Sequence, residues 1–373
     1  MILARYTPSV AEGLGTSLLG WFRRRRRKLP WRGPFPRDPY PTLVSEVMLQ
    51  QTQVDRVVPV FTRFLERFPT LEALAEAEEQ EVLLAFSGLG YYRRARALHA
   101  ATRAVAAAGA WPETAAGLRR LPGIGTYTAA AVAAFAFAGD EPFADGNIAR
   151  VAARVKAIEA RMGERRLKDA AGDLAASFFA DTGTPEVWEA LMELGATVCT
   201  PAAPRCSECP LGHACDARAQ GRAAALPLPR PQRARERHRW VAVWLSRPDG
   251  RVLLRQVPAG ELLAGLWLVP HRSLHDGEEP GVAATELART TGHRGALSPR
   301  TAVRHGITFR TIEVLPFVGR VSSSRVAEPA PATIWADPST PEVPVPSLFA
   351  KLRGASAGGL AVPKVRRRPP RPR

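Results

Sequence analysis

Two carboxylates and one group of thiols carry the chemistry available to this chain. Glu46 stands in a stretch that reads as a helix from Pro41 through Val58, on the face that also carries Gln50 and Gln53 at i, i+4 and i+7. A carboxyl closed over by a pocket on that face can act as a proton donor. Asp145 directly precedes the helical stretch Asn147–Arg154. An aspartate there accepts backbone N–H bonds as an N-cap, which favours its ionised form and suits it to stabilising a cation. The 4 cysteines all lie within Cys199–Cys215, with gaps of six, two and five residues. One local metal site is expected from them rather than a disulfide framework. Zinc and a 4Fe–4S cluster are both open to such a set, although the single short CxxC departs from the paired CxxC of zinc ribbons.

The elements that must position these groups are mostly helical. Leu43, Val47, Val54 and Val58 give the 41–58 stretch a buried stripe, and Leu71–Ala85 reads as alanine- and glutamate-rich scaffold. Ser87–Tyr92 breaks the helical pattern with glycines and presents Tyr91 and Tyr92, which suit either a core or base stacking. Leu121–Thr128, LPGIGTYT, joins two helices, and Gly123 and Gly125 would let a backbone approach a phosphate at the next helix N-terminus. That is the pattern of a helix–hairpin–helix element. Beyond Ala219–Arg239, an Ala-, Pro- and Arg-rich linker, the texture changes to strands at Trp240–Leu245, Val252–Leu254, Thr308–Val314 and Pro316–Val321, with a helix in Glu278–Thr291. A second, α+β domain is expected there, followed by a basic tail ending KVRRRPPRPR.

At 373 residues the chain exceeds a typical single core, and its net charge of +17 and pI near 10.9 favour a polyanionic partner. Five consecutive arginines in Trp21–Arg32 suit phosphate contact. With no run of eighteen apolar residues and no secretory pattern in Met1–Gly20, a soluble, cytoplasmic protein without a membrane partner is expected. The charge puts nucleic acid first among polyanions, so association with the nucleoid through DNA is expected too, and the protein is expected to be monomeric.

Taken together, PWR at 30–32, SEVMLQQTQV at 45–54, GLGYYRRARALH at 88–99, LPGIGTYTA at 121–129, DGNIARV at 145–151 and ELGATVC at 193–199 resemble the MutY family of helix–hairpin–helix DNA glycosylases. The resemblance runs from about Trp21 to Cys215. It implies a helix–hairpin–helix glycosylase region over 1–218, with Cys199, Cys206, Cys209 and Cys215 holding one 4Fe–4S cluster. A linker at 219–239, a Nudix-like α+β domain at 240–348 and a tail at 349–373 complete the expected organisation. The implied substrate is duplex DNA with adenine opposite 8-oxoguanine or G. Glu46 would protonate adenine N7, Asp145 would stabilise the oxocarbenium or covalent sugar species, and Tyr127 and Asn147 would orient the site. Arg27, Leu29, Trp31, Arg32, Glu189 and Met192 would line the adenine pocket, and Gln51 and Tyr91 would wedge the duplex open. Tyr127 stands where bifunctional relatives carry a lysine; a phenol cannot form the imine, so base removal without strand cleavage is implied.

In the C-terminal part LLAGLWLVP at 262–270 resembles the family's Nudix-like module, whereas 278–292 lacks the metal-binding carboxylates of nucleotide hydrolases. The family's recognition loop carries Phe-Ser-His after an earlier histidine. Here His305 is followed by Gly306, Ile307, Thr308 and Phe309, so Thr308 would replace the serine hydroxyl and Phe309 the histidine.

Overall fold

The computed structural model describes residues 13–229, 231, 234–321 and 332–357. Contacts divide the chain into two units, 1–82 with 91–231, and 83–90 with 232–373.

The first unit is helical. Its helices are α1 (Leu14–Arg25), α2 (Pro39–Leu49), α3 (Val54–Arg67), α4 (Leu71–Glu76), α5 (Glu79–Ala85, which runs across the division), α6 (Arg93–Ala108), α7 (Ala115–Leu118), α8 (Thr126–Phe137), α9 (Gly146–Val155), α10 (Arg165–Thr182), α11 (Glu186–Thr197) and α12 (Asp216–Ala219). At the centre lies α8, buried at every position from Thr128 to Ala136. A helix apolar all round belongs inside, and its alanines let neighbours approach closely. α7 and α2 pack against it, while α9 packs on α10 and α11. α1 lies against α10 and α11, and its N-cap, Gly13, has no side chain to cap it. Asp181 of α10 accepts from Gly13 N and Thr16 N, both at 3.1 Å, and so caps α1 from a distant part of the chain.

The stripe expected to run unbroken from Pro41 to Val58 is two helices. The backbone turns at Gln50–Gln53, with Gln51 in the left-handed region at φ 56°. After the turn the buried face is Val57, Val60, Phe61 and Phe64, so Val58 lies beside the core rather than in it.

Among the described residues the second unit contains an eight-stranded sheet of order β3-β2-β1-β7-β5. Its strands are β1 (Glu236–Ser246), β2 (Val252–Gln256), β3 (Trp267–Leu268), β4 (His271–Ser273), β5 (Ser298–Pro299), β6 (Val303–Ile307), β7 (Arg310–Arg320) and β8 (Thr333–Ala336); β4 pairs with β1, β6 with β7 and β8 with β2. β1 and β7 run parallel from Glu236↔Arg310 to Ser246↔Arg320. Alternation along β1 divides the core between the faces. Trp240, Ala242 and Trp244 pack with Phe349 and Leu352 of α14 (Ser347–Ala357), whereas Val241, Val243 and Leu245 pack with Ala283, Ala284 and Leu287 of α13 (Pro280–Thr290). The result is an α+β layer arrangement.

Three boundaries differ from the sequence expectation. The strands expected at 308–314 and 316–321 form one strand, β7, and Pro316 stands within it opposite Ala242. Residues expected as linker are largely structured: Leu226 is buried, Leu228 N donates to Ala160 O at 3.0 Å, and β1 begins at Glu236. The expected tail starts inside α14, whose Leu348, Phe349 and Leu352 are buried against the sheet. The remainder, including KVRRRPPRPR, lies outside the described residues.

Candidate active site and cysteine loop

Glu46 occupies the second half of α2 and is 7% exposed. Burial pushes its carboxyl up to about 7; a hydrogen bond from Tyr127 opposes the rise, the charges of Glu189 and Asp145 add to it, and Arg37 reduces it. Tyr127, the second residue of α8, also places its hydroxyl 3.3 Å from Met192 Sδ. Its own pKa is held well above the ordinary value by burial and by the neighbouring carboxylates.

Asp145 has different surroundings. It is the N-cap of α9, and one oxygen accepts from Asn147 N and Ile148 N at 2.8 Å each. The other accepts from Asn147 Nδ2 at 2.7 Å. Burial raises its pKa, while these N–H donors and Arg150 pull it back. Two carboxyls in one buried region thus have opposed environments: burial favours the neutral form of Glu46, and Asp145 is supplied with donors for its charge.

α11 brings a second set. Arg32 Nε reaches Glu189 at 2.7 Å and its Nη2 reaches Glu193 at 2.8 Å. Arg27 grips Glu193 through Nε at 2.8 Å and Nη2 at 2.7 Å, and Arg37 Nη2 holds Glu189 at 2.6 Å. Burial would raise Glu193, but hydrogen bonds from Arg27 and Arg32 hold it down at about 2. Of the residues expected around adenine, Arg27, Arg32, Glu189 and Met192 therefore converge on α11. Trp31 is buried edge-on against Phe61, with ring centroids 5.4 Å apart, and half-buried Leu29 accepts from Arg32 N. Arg37 and Glu193 were missed from sequence. The signal was present: Glu186, Glu189 and Glu193 recur at i, i+3 and i+7 on one face of α11, opposite the arginine-rich 23–37 segment. That run is also less free for phosphate than its composition implies, since Arg23 and Arg26 pair with Glu186.

At the periphery, Gln51 and Tyr91 are exposed, both with positive φ (56° and 50°). In the helix–hairpin–helix turn Gly123 has φ 70°, and a Cβ there would stand 2.4 Å from Ala97 Cβ; Gly125 is the exposed N-cap of α8 with open space beside it. Thr308 belongs to the second unit. It forms the β6–β7 turn at φ 54°, and its hydroxyl donates to Ile307 O at 2.7 Å.

The cysteine loop is anchored by two arginines of α9. Arg154, buried, donates from Nη1 to Cys199 Sγ at 3.2 Å and Thr200 O at 2.8 Å, and from Nε to Leu226 O at 2.9 Å. Arg150 donates to Cys199 O at 2.8 Å, Gly195 O at 2.6 Å and Asn147 Oδ1 at 2.7 Å. Asp145, Asn147, Arg150 and Cys199 thereby form one chain of hydrogen bonds. All four cysteines line a single cavity with Val151, Leu194, Val198 and Leu211. Among the described residues no group of three or more His, Cys, Asp or Glu closes around one ion. Four thiols around one cavity are the donor set of a thiolate-bound metal centre, zinc or a 4Fe–4S cluster. Burial and the charges of the other cysteines push the Cys209 thiol up to about 11, so holding these sulfurs as thiolates calls for a cationic core.

Comparison with known proteins supplies the family. Residues 44–175 match the family described as HhH-GPD superfamily base excision DNA repair protein. An adenine DNA glycosylase of Rattus norvegicus is 43% identical over 223 residues, 57% of this chain and 43% of its own. That of Arabidopsis thaliana is 33% identical over 331 residues, 79% of this chain and 51% of its own. This chain thus spans about half the length of either. The adenine DNA glycosylase of Mycolicibacterium smegmatis is 44% identical over 221 residues, 58% of this chain and 73% of its own. A solved thermostable thymine-DNA glycosylase superposes with a TM-score of 0.49 at 25% identity, over 55% of this chain and 95% of its own. Identity at that level across most of the mycolicibacterial protein places this chain in the adenine DNA glycosylase family.

Proposed function

We propose that this protein hydrolyses the N-glycosidic bond of adenine mispaired with 8-oxoguanine or G in duplex DNA, as the first step of base excision repair. The observation that carries the reading is the opposed pair of carboxyls. Glu46, pushed up to about 7, keeps its proton on a substantial fraction of molecules at neutral pH and can give it to adenine N7. The C1′–N9 bond then breaks with its electron pair going to the base. The positive charge left on the sugar meets Asp145, whose hydrogen bonds favour the anion. Glu46, now a carboxylate, takes a proton from the water that adds at C1′. Tyr127 and Asn147 orient the two acids. Arg32, Glu189 and Met192 border the base, with Arg27, Leu29 and Trp31 supporting them. Gln51 and Tyr91 fill the duplex when adenine leaves the stack, and Gly123 and Gly125 admit a phosphate.

Cys199, Cys206, Cys209 and Cys215 would hold one 4Fe–4S cluster with a structural role. The second unit serves as a Nudix-like reader of 8-oxoguanine, with the Thr308 hydroxyl at its loop. Single-turnover incubation with an adenine:8-oxoguanine duplex, followed by alkali, tests the reading. An alkali-labile site opposite 8-oxoguanine is expected, and Glu46→Gln or Asp145→Asn is expected to abolish it while duplex binding persists. No alkali-labile site would sink the proposal. With Tyr127 in place of lysine, borohydride is expected not to trap the enzyme on DNA; efficient trapping would instead mark a bifunctional lyase.

A further inference from the structure

Buried in the first unit is an arginine that touches neither carboxyl yet binds three parts of the site's frame. Arg94 lies in the first turn of α6 and is 9% exposed. Its Nη1 donates to Val47 O at 3.1 Å, to Met48 O at 2.9 Å and to Gln50 O. Its Nη2 donates to Thr52 Oγ1 at 3.0 Å. The carbonyls of Val47 and Met48 belong to the last turn of α2, where no intrahelical donor exists and a cation is favoured. The guanidinium also lies 5.4 Å from the centre of the Tyr91 ring, and Arg94 N donates to Tyr91 O at 2.8 Å.

The two exposed residues with left-handed backbone in this part of the fold, Gln51 and Tyr91, are the neighbours of those contacts. Gln51 lies between the two Arg94-bound residues Gln50 and Thr52. Non-glycine residues at such φ angles persist only when the surroundings impose them. Burial lowers the Arg94 pKa to about 10, which still leaves it a cation throughout the neutral range.

We propose that Arg94 is the positioning residue that holds Gln51 and Tyr91 at a fixed separation, so that both can enter the duplex together as adenine is extruded. The proposal rests on the reading of this protein as an adenine glycosylase. It concerns the extrusion step, which is separate from proton transfer by Glu46.

The test uses the full chain and a duplex with 2-aminopurine beside the target adenine, whose fluorescence reports unstacking whether or not the base is cut. In Arg94→Lys, extrusion is expected to slow roughly tenfold or more, with duplex affinity and the pH midpoint of the chemical step unchanged. Combining it with Tyr91→Ala is expected to add little to either single effect, because both remove one device. Thr52→Val, which removes an acceptor near Gln51, is expected to slow extrusion in the same sense. It decides the matter if Arg94→Lys does not fold. Normal extrusion with slowed chemistry in the folded variants would overturn the proposal and make Arg94 a support for Glu46 alone. So would additive effects of Arg94→Lys and Tyr91→Ala. A wild-type protein that extrudes but does not excise adenine would sink the proposed function and leave this test readable.

Discussion

An acid that must stay protonated at neutral pH strains the fold that buries it. Glu46 is raised from 4.5 to about 7, so its folded form binds the proton more tightly than the unfolded chain does. Stability therefore declines as pH rises from 4.5 to about 7 and stays lowered above that, by about 3 kcal/mol. Glu46→Gln is expected to recover about that much at pH 8 and nothing at pH 4, as measured by urea unfolding. An equal gain at both pH values would tie the effect to packing instead. Activity should follow the same proton. Single-turnover excision is expected to fall as pH rises through about 7, where Glu46 loses its proton. It is also expected to fall on the acid side once Asp145, itself raised by burial, becomes protonated. Glu46, whose neighbours Tyr127, Asp145 and Glu189 are distant in sequence, was singled out by the family resemblance. The N-cap role of Asp145 was legible from sequence because its partners Asn147 and Ile148 are local. Arg37, which lowers the Glu46 pKa and neutralises Glu189, was not, since its partner stands 152 positions away.

At the scale of elements, the contact between α9 and α11 governs how Asp145 is held. Gly195 of α11 lies so close that a Cβ there would stand 2.5 Å from Asn147 Cβ and 3.0 Å from Asn147 O. Gly195→Ala is expected to destabilise the protein by about 1–3 kcal/mol and to slow excision by displacing Asn147 from Asp145. Calorimetry and single-turnover kinetics check it together; a lowered Tm with unchanged excision would show that α9 can shift without moving the acid. Periodicity found the helices here but misread one join. Leu43, Val47, Val54 and Val58 keep helical spacing across a point where the chain turns. The turn depends on Arg94 drawing in the carbonyls of Val47, Met48 and Gln50 from another helix, which no local pattern records. The strands expected at 308–314 and 316–321 show the opposite error: no break separates them, and Pro316 is tolerated inside β7 opposite Ala242.

For the whole molecule, the charge of +17 predicts strongly salt-dependent DNA binding, but not every arginine contributes equally. Arg24 and Arg25 are exposed, whereas Arg23 and Arg27 are paired with glutamates. Neutralising Arg24 and Arg25 to Gln is expected to flatten the slope of log K against log salt by about 2 with little change in Tm. Neutralising Arg27 is expected to lower Tm, because Glu193 would remain buried without one of its partners. A slope unmoved by the first pair would place the phosphates elsewhere.

The ion pairs between the 23–37 segment and α11 also dictate when the first unit can fold. Arg27 and Glu193 are separated by 166 positions, Arg32 and Glu189 by 157, and α1 receives its cap from Asp181, 168 positions beyond Gly13. On a ribosome adding about 5–20 residues each second, the first arginines emerge roughly 8–30 s before their glutamates. Until then α1 has neither cap nor counter-charges, and Phe22 has no core to enter. Glu46 likewise has no Glu189, Arg37 ion pair or Asp145 environment to set its proton. The acid is therefore created late, when α11 closes onto the 23–37 segment. A chain that stops short of α11 would lose its chemistry entirely, well before the question of a cluster arises.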